Sequence, residues 1–203
     1  MFLTSILLAA LLFSGCYFAV GEKPVEKVIS KVLVADDFED DTAGNKPSKW
    51  DGNNVTVVDD LEAGGKSVQV AGDKDDAYFY KKLDADAPIV VFEFNIRWVS
   101  GTSGLNIYLD DESVRKAGGH NVNLFGRDGS LGYRYNPGTG DTEQFFHEMG
   151  DGWTRVKVAA NAVTEETYIF VNDEPEPVLG PLPFRRSMPV PENMWEEIDV
   201  RFW

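Results

Sequence analysis

The sequence predicts an all-β fold in which two antiparallel sheets pack as a sandwich. Apolar and polar residues alternate with a period of two in segment after segment of the 203-residue chain. Turn-forming glycine, proline and aspartate residues separate these segments. No long helical period follows the N-terminal apolar run. Many short strands at this spacing favour packed antiparallel sheets over a parallel sheet covered by helices.

Each alternating segment is predicted to form one strand. The predicted strands are Val32 to Phe38, Val55 to Val58, Ser67 to Ala71, Ala77 to Lys81, Ile89 to Val99, Leu105 to Leu109, Asn121 to Gly126, Leu131 to Tyr135, Glu143 to Glu148, Thr154 to Ala159, Glu166 to Asn172 and Glu197 to Phe202. A proline-rich connection, from Glu174 to Pro189, is predicted before the last of them. The strands together make one domain, residues 32–203.

The N-terminal segment is almost purely apolar as far as Cys16. It is shorter than the run of about 20 apolar residues that spans a bilayer. It is typical of the apolar region of an export signal, so residues 1–21 are predicted to be a signal and residues 22–31 a tether. Cleavage before Cys16, in a lipobox-like Phe13–Cys16 stretch, would leave that cysteine lipidated. Cleavage after Gly21 would release a secreted protein.

Charge and cysteine content restrict the partners. The formal net charge is −15, and a chain this acidic is predicted not to bind nucleic acid, which requires Lys and Arg. Cys16 is the only cysteine, so the folded domain is predicted to contain no disulfide. Membrane contact is predicted only through a lipid on Cys16. The predicted location is the cell envelope or the extracellular space.

Three parts of the chain carry a resemblance to a known superfamily. The stretch Ala35 to Asp40, with Gly44, Pro47 and Trp50 after it, resembles the opening of concanavalin A-like (laminin G-like) jelly rolls. Ile89 to Trp98 resembles their long central strand. Gly152 to Ala159 and Thr167 to Asp173 resemble their C-terminal hairpin. The resemblance implies a jelly-roll sandwich. It also implies a link to carbohydrate, because the superfamily includes lectins, sugar-binding modules, glycoside hydrolases and polysaccharide lyases.

Strand alternation predicts which side chains face away from the core. Phe92 and Phe94 share one side of their strand and Glu93 and Asn95 the other. If the polar sides of neighbouring strands pool on one surface, they supply the amides, carboxylates, guanidinium groups and tyrosine that bind sugar hydroxyls. Whether Tyr133 or Arg134 faces outward stays open. The predicted carbohydrate-binding residues are Glu93, Asn95, Arg97, Asn106, Tyr108, Asn121, Asn123 and Arg134.

The function predicted from these observations is non-catalytic carbohydrate binding. One alternative is a polysaccharide lyase, in which His120, Tyr108 and Arg97 would be the catalytic residues. A second is a glycoside hydrolase that uses Glu197 and Asp199. The stretch Glu197 to Phe202 resembles the Glu-x-Asp-x-x-Glu catalytic strand of laminarinase-type hydrolases in this superfamily, although Phe202 stands in place of the third acid. A third is a structural surface domain without a small ligand. Asp37 and Glu39 are the candidate ligands of a structural calcium ion.

Overall fold

The computed structural model describes residues 12–14, 29–60, 62, 64–70, 77–85, 87–98, 104–111, 114, 116–187 and 195–202. These residues are mostly strand and turn, and the predicted all-β sandwich is confirmed. In these ranges no helix is long and apolar enough to cross a bilayer. Cys16 and the residues at both predicted cleavage sites lie outside the described residues.

The first sheet has six strands. Its order is β14-β13-β12-β7-β1-β2, and every pairing is antiparallel. These strands are β1 (Leu12–Ser14), β2 (Ile29–Val32), β7 (Ile89–Ile96), β12 (Thr154–Asn161), β13 (Glu166–Val171) and β14 (Leu179–Pro183).

The second sheet has seven strands in the order β11-β10-β9-β8-β15-β6-β3, again antiparallel throughout. Its strands are β3 (Asp51–Asn53), β6 (Ala77–Ala85), β8 (Leu105–Asp110), β9 (Val122–Arg127), β10 (Ser130–Tyr135), β11 (Thr142–Glu148) and β15 (Trp195–Phe202). The remaining strands, β4 (Val55–Asp60) and β5 (Gly65–Val70), form a separate hairpin.

Alternation along the strands builds the core between the two sheets. Phe92 and Phe94 of the first sheet and Ile107 and Leu109 of the second are buried in one hydrophobic cluster. Burying such side chains stabilises the fold by about 1.5–3 kcal/mol each. Tyr133 is also fully buried, so Arg134 is the residue of β10 that faces outward. This settles the open choice between them.

Several of the predicted strands and their boundaries differ from the structure. Val32 to Phe38 is not a strand, because β2 ends at Val32 and only an isolated bridge follows, at Asp36. β3 was not predicted. β14 lies inside the predicted proline-rich connection. β14 is an edge strand, where a proline without an N–H group can pair on one side without breaking a ladder.

Candidate functional site

The most varied polar surface is the outer face of the second sheet, which points away from the core. In β15 the side chains of Glu197, Asp199 and Arg201 alternate with the core residue Ile198 and the partly buried Val200, which packs against the core. In β6, Tyr78 and Tyr80 alternate in the same way with the core residue Phe79. Two paired strands therefore place carboxylate, guanidinium and phenol groups on the outer face.

The strand register places these side chains in rows across the sheet. Asp199 of β15 lies directly opposite Tyr80 on one side and Tyr108 on the other. The same row continues through Asn123 to Arg134. Directly opposite residues on antiparallel strands have Cβ atoms about 4.5–5.5 Å apart, so neighbours in a row are in contact range.

A groove of about 360 Å³ lies on this face between β6 and β15. We call it the β6–β15 groove. Its lining residues are Tyr78, Tyr80, Lys82, Glu197, Asp199 and Arg201. The rings of Tyr78 and Tyr80 stack with centroids 6.3 Å apart and an interplanar angle of 21°. Its volume is within the range of small-molecule sites, about 300–1,000 Å³.

Asp199 and Arg201 form the ionic centre of the groove. Arg201 donates from Nε to Asp199 Oδ2 at 2.6 Å, and its Nη2 lies 2.6 Å from the same oxygen. Asp199 is only 2% exposed. Burial raises the pKa of its carboxyl above the ordinary value, and the Arg201 hydrogen bond opposes that rise without cancelling it.

Beside the groove, Tyr108 and His120 form a stacked pair. Their ring centroids are 3.5 Å apart at an interplanar angle of 14°. Asp110 holds the histidine, because its Oδ2 lies 2.7 Å from His120 Nδ1. Burial raises the pKa of the Tyr108 phenol, and the positive charges of Arg201, Arg185 and Arg134 oppose the rise.

The structure unites four of the predicted binding residues on this face. Asn106, Tyr108, Asn123 and Arg134 lie on the adjacent strands β8, β9 and β10. Asn123 Nδ2 donates to Asn106 Oδ1 at 3.1 Å, and Asn123 Oδ1 accepts from Arg134 Nη1 at 3.4 Å. Arg185, from the segment before β15, also donates to Asn123 Oδ1 at 3.2 Å. Asn123 is fully buried, and its Nδ2 also donates to Leu124 O at 3.0 Å. Both ends of its amide are therefore engaged, so Asn123 ties the face together and does not face a ligand as predicted.

Asn121 lies beside this face, but its side chain is fully buried and makes structural hydrogen bonds. Its Oδ1 accepts from Asp111 N at 2.9 Å, and its Nδ2 donates to Arg186 O at 2.9 Å. Its backbone N–H donates to Asp110 Oδ1. Its side chain holds the loop around Asp111 against the segment at Arg186, so this geometry corrects the prediction that Asn121 faces a ligand.

The expectation of a single surface is wrong for Glu93, Asn95 and Arg97. Glu93 and Asn95 lie on β7, and Arg97 directly follows it. β7 belongs to the first sheet, whereas β8 belongs to the second. β7 and β8 therefore do not pair, although a short connection between them favoured pairing. Glu93 instead accepts from Arg155 Nε at 2.8 Å on the outer face of the first sheet.

Arg97 is engaged away from the groove. It bonds Asp60 at 3.1 Å, pairs with Glu62, and lies over the ring of Trp153. It therefore anchors the β4–β5 hairpin. The lyase set of His120, Tyr108 and Arg97 is not assembled, because Tyr108 lies on β8 of the second sheet, whereas Arg97 follows β7 of the first.

Each of the two predicted calcium ligands accepts a hydrogen bond from a backbone N–H group. Asp37 Oδ1 accepts from Glu39 N at 3.2 Å, and Glu39 Oε1 accepts from Lys66 N at 2.7 Å. Within the part of the chain that the structure describes, no group of three or more His, Cys, Asp or Glu side chains is arranged to hold a metal ion. Asp37 is thus bonded within its own turn, and Glu39 is bonded to the β4–β5 hairpin.

Sequence reasoning did not assign the aromatic wall of the site. Tyr78, Tyr80 and Lys82 were not singled out, and Glu197 and Asp199 were considered only as a hydrolase motif. The alternation of Ala77 and Phe79 with Tyr78 and Tyr80 does indicate two outward tyrosines. The pairing of β6 with β15 is not visible in the sequence, because the two strands lie far apart along the chain.

A second groove, of about 440 Å³, runs along the edge strand β11. Its lining is Ser130 and the consecutive residues Phe145 to Glu148. It is thus the flank of one exposed strand, without the convergence of polar groups from several strands that a binding site requires.

Comparison with known proteins does not show a family. No family model matches the chain, and no curated protein matches it significantly. Solved structures with some likeness include sheep galectin-11 in complex with glycerol, at 12% identity and a TM-score of 0.41, covering 61% of this chain and 88% of that one. A sialidase has 11% identity and a TM-score of 0.37, covering 73% of this chain and 13% of that one.

A glycoside hydrolase family protein from Mycobacterium thermorestibile has 14% identity and a TM-score of 0.33, covering 66% of this chain and 68% of that one. With TM-scores this low, none of the three likenesses carries an argument about function. The fold class rests on the two antiparallel sheets and the core between them.

Proposed function

We propose that the protein binds carbohydrate in the β6–β15 groove without catalysing a reaction. The observation that carries the proposal is the Tyr78–Tyr80 pair beside the Asp199–Arg201 ion pair in one open groove. A tyrosine face packs against the apolar face of a sugar ring. Carboxylate and guanidinium groups accept from and donate to the ring hydroxyls. An exported, lipid-anchored or secreted domain with this site would bind glycans at the cell surface.

Binding to a panel of polysaccharides tests the proposal. Affinity electrophoresis in gels containing neutral and acidic polysaccharides identifies a retained ligand, and calorimetry then measures its affinity. Tyr80→Ala is expected to weaken binding about tenfold or more, because truncating an aromatic anchor typically costs about 2 kcal/mol. Tyr168→Ala is the matched control, since Tyr168 lies on the outer face of the first sheet. Its affinity should equal that of the wild type.

Two results would contradict the proposal. The first is that no polysaccharide retards the wild-type protein. The second is that Tyr168→Ala weakens binding as much as Tyr80→Ala, because the ligand would then not be held in the groove.

Glycan hydrolysis is a second candidate, which the carboxylates of β15 favour. Glu197 and Asp199 project from the same side of one strand, and residues two apart on a strand are about 6.6–6.8 Å apart. Burial raises the pKa of Asp199, as a general acid requires. Release of reducing ends by the wild type, and its loss in Glu197→Gln, would support hydrolysis. Binding without any release of reducing ends supports the non-catalytic proposal.

A further inference from the structure

The carboxylate of Asp199 is satisfied at only one of its two oxygens. Both contacts from Arg201 are to Oδ2. Oδ1 is buried and has no hydrogen-bond partner among the described residues. A buried acceptor without a partner is destabilising, by about 1–3 kcal/mol, and such atoms are rare in native structures. The position of Oδ1 therefore calls for a functional explanation.

Asp199 is placed where a ligand in the groove would meet it. It lines the β6–β15 groove and lies directly opposite Tyr80 in the register. The side chain of Arg201 is 52% exposed, so its guanidinium can shift without disturbing the core. A sugar ring that rests on the tyrosines brings its substituents to the Asp199 carboxylate.

The chemistry of this position selects among saccharides. An ionised carboxylate only accepts hydrogen bonds, so Oδ1 needs a donor such as a sugar hydroxyl. A uronic acid carboxylate at the same place offers no donor. It would also face the negative charges of Asp199 and of Glu197, which are both almost fully buried. Lys82 and Arg201 also line the groove, but Arg201 is already paired with Asp199 Oδ2. A ligand carboxylate placed at Oδ1 therefore meets a like charge at close range and no donor, which disfavours the acidic ligand.

Resting on the proposed function, we infer that Asp199 determines specificity. Its Oδ1 accepts a hydrogen bond from a hydroxyl of a neutral saccharide, and its charge excludes uronic acid residues from this part of the groove. Asp110 extends the same acidic strip, because it lies directly opposite Glu197 on β8. The overall charge of −15 acts in the same direction at longer range.

The test compares neutral and acidic ligands that share one sugar configuration. Oligosaccharides of mannan and polymannuronate, and of galactan and polygalacturonate, are titrated into the full chain by calorimetry. The wild type is expected to bind a neutral member at least tenfold more tightly than its acidic counterpart. Asp199→Asn is expected to weaken binding of that neutral ligand about tenfold, because it removes a charge-assisted hydrogen bond.

Glu93→Gln is the matched control. Glu93 is an acid of the first sheet that is also buried and also bonded to an arginine, Arg155. Its substitution should leave both affinities unchanged. If Asp199→Asn does not fold, the ¹³C resonance of the Asp199 carboxyl in the wild type serves instead. This resonance should shift when the neutral ligand is added, and it should not shift when the acidic ligand is added.

The outcomes separate this inference from the function on which it rests. If the wild type binds a neutral saccharide but Asp199→Asn binds it equally well, or the carboxyl resonance does not move, the role of Asp199 is overturned and carbohydrate binding stands. Tighter binding of the acidic member than of the neutral one by the wild type would likewise overturn the role of Asp199 and leave carbohydrate binding standing. If no member of either pair and no polysaccharide of the wider panel binds, both fail.

Discussion

Arg201 places two guanidinium nitrogens on one oxygen of Asp199, each at 2.6 Å, and leaves the other oxygen without a hydrogen bond among the described residues. The two residues lie two positions apart on β15, so they share the outer face of the second sheet. This geometry orients the carboxylate and leaves a buried acceptor of the groove lining without a partner. Together with the Tyr78–Tyr80 pair, it is the reason that we propose the groove as the binding site rather than the amide-rich strands beside it.

Asn121 is predicted to stabilise the fold without contacting the ligand. Asn121→Ala removes the bonds to Asp111 N and Arg186 O and leaves both groups without that partner. The free energy of unfolding in urea should fall by about 1–3 kcal/mol. Asn95→Ala, at a half-buried position of the first sheet, should change it by less than about 0.5 kcal/mol. Equal stability of the two variants would contradict the bracing role.

Arg97 is predicted to stabilise the β4–β5 hairpin and to have no part in glycan binding. Arg97→Gln breaks the ion pairs with Asp60 and Glu62, so amide hydrogen exchange within β4 and β5 should accelerate. Because Arg97 is not on the sheet that carries the groove, glycan affinity should not change. If Arg97→Gln weakened glycan binding without accelerating exchange in the hairpin, Arg97 would belong to the binding site and the prediction would be wrong.

Tyr133 is predicted to link the two sheets. Its hydroxyl lies 2.9 Å from Thr167 Oγ1 and donates to Pro183 O at 3.3 Å, so a residue of β10 contacts β13 and β14. Tyr133→Phe keeps the ring and removes these bonds. Thermal and urea unfolding should report a loss of about 1 kcal/mol. Tyr135→Phe, on the same strand, is the control, and an equal loss there would argue against the link.

Glu143 is predicted to make the edge strand β11 sensitive to acid. The hydrogen bond from Arg134, with the charges of Arg134 and Arg127, holds the pKa of Glu143 below its usual value of 4.5. Since the folded pKa is the lower one, this stabilisation is fully present above pH 4.5 and is lost as the pH falls through the folded value.

The measurement for Glu143 is urea unfolding at a series of pH values. Glu143→Gln should be less stable than the wild type at pH 7, by about 0.5 kcal/mol for a pair that is partly exposed to solvent. The difference should shrink below about pH 4.5. Glu148→Gln, at an exposed position of the same strand, should show no such trend. A difference between Glu143→Gln and the wild type that does not depend on pH would contradict the account.

The sequence predicts the local part of this structure well. A period of two identifies the core side chains of β7, β8 and β9, because a residue that alternates with buried phenylalanine or leucine must face outward. It does not decide the orientation of β10, since both faces of that strand offer an amphipathic or charged side chain. Tyr133 is buried because its hydroxyl finds Thr167 on the opposite sheet.

Sheet membership is the part that the sequence could not supply. Glu93 and Tyr108 occur on consecutive strands, yet their strands belong to different sheets. Conversely, Tyr80 and Asp199 are far apart in the chain and face each other across a strand pair. Which strands pair depends on how entire sheet faces are buried against one another. The pattern within a single strand does not contain that information. Half of the predicted surface was therefore correctly grouped, and the groove itself was not foreseen.

The measurement that tests the central claim most directly is the mapping of glycan contacts by NMR. The ¹⁵N-labelled chain is titrated with the polysaccharide fragment that affinity electrophoresis identifies, and amide shifts are followed residue by residue. We predict that the shifts concentrate in β6 and β15, around Tyr80 and Asp199, and are absent from β7, β12 and β13. Shifts centred on Glu93 and Arg155 of the first sheet, or no saturable shift at all, would contradict the assignment.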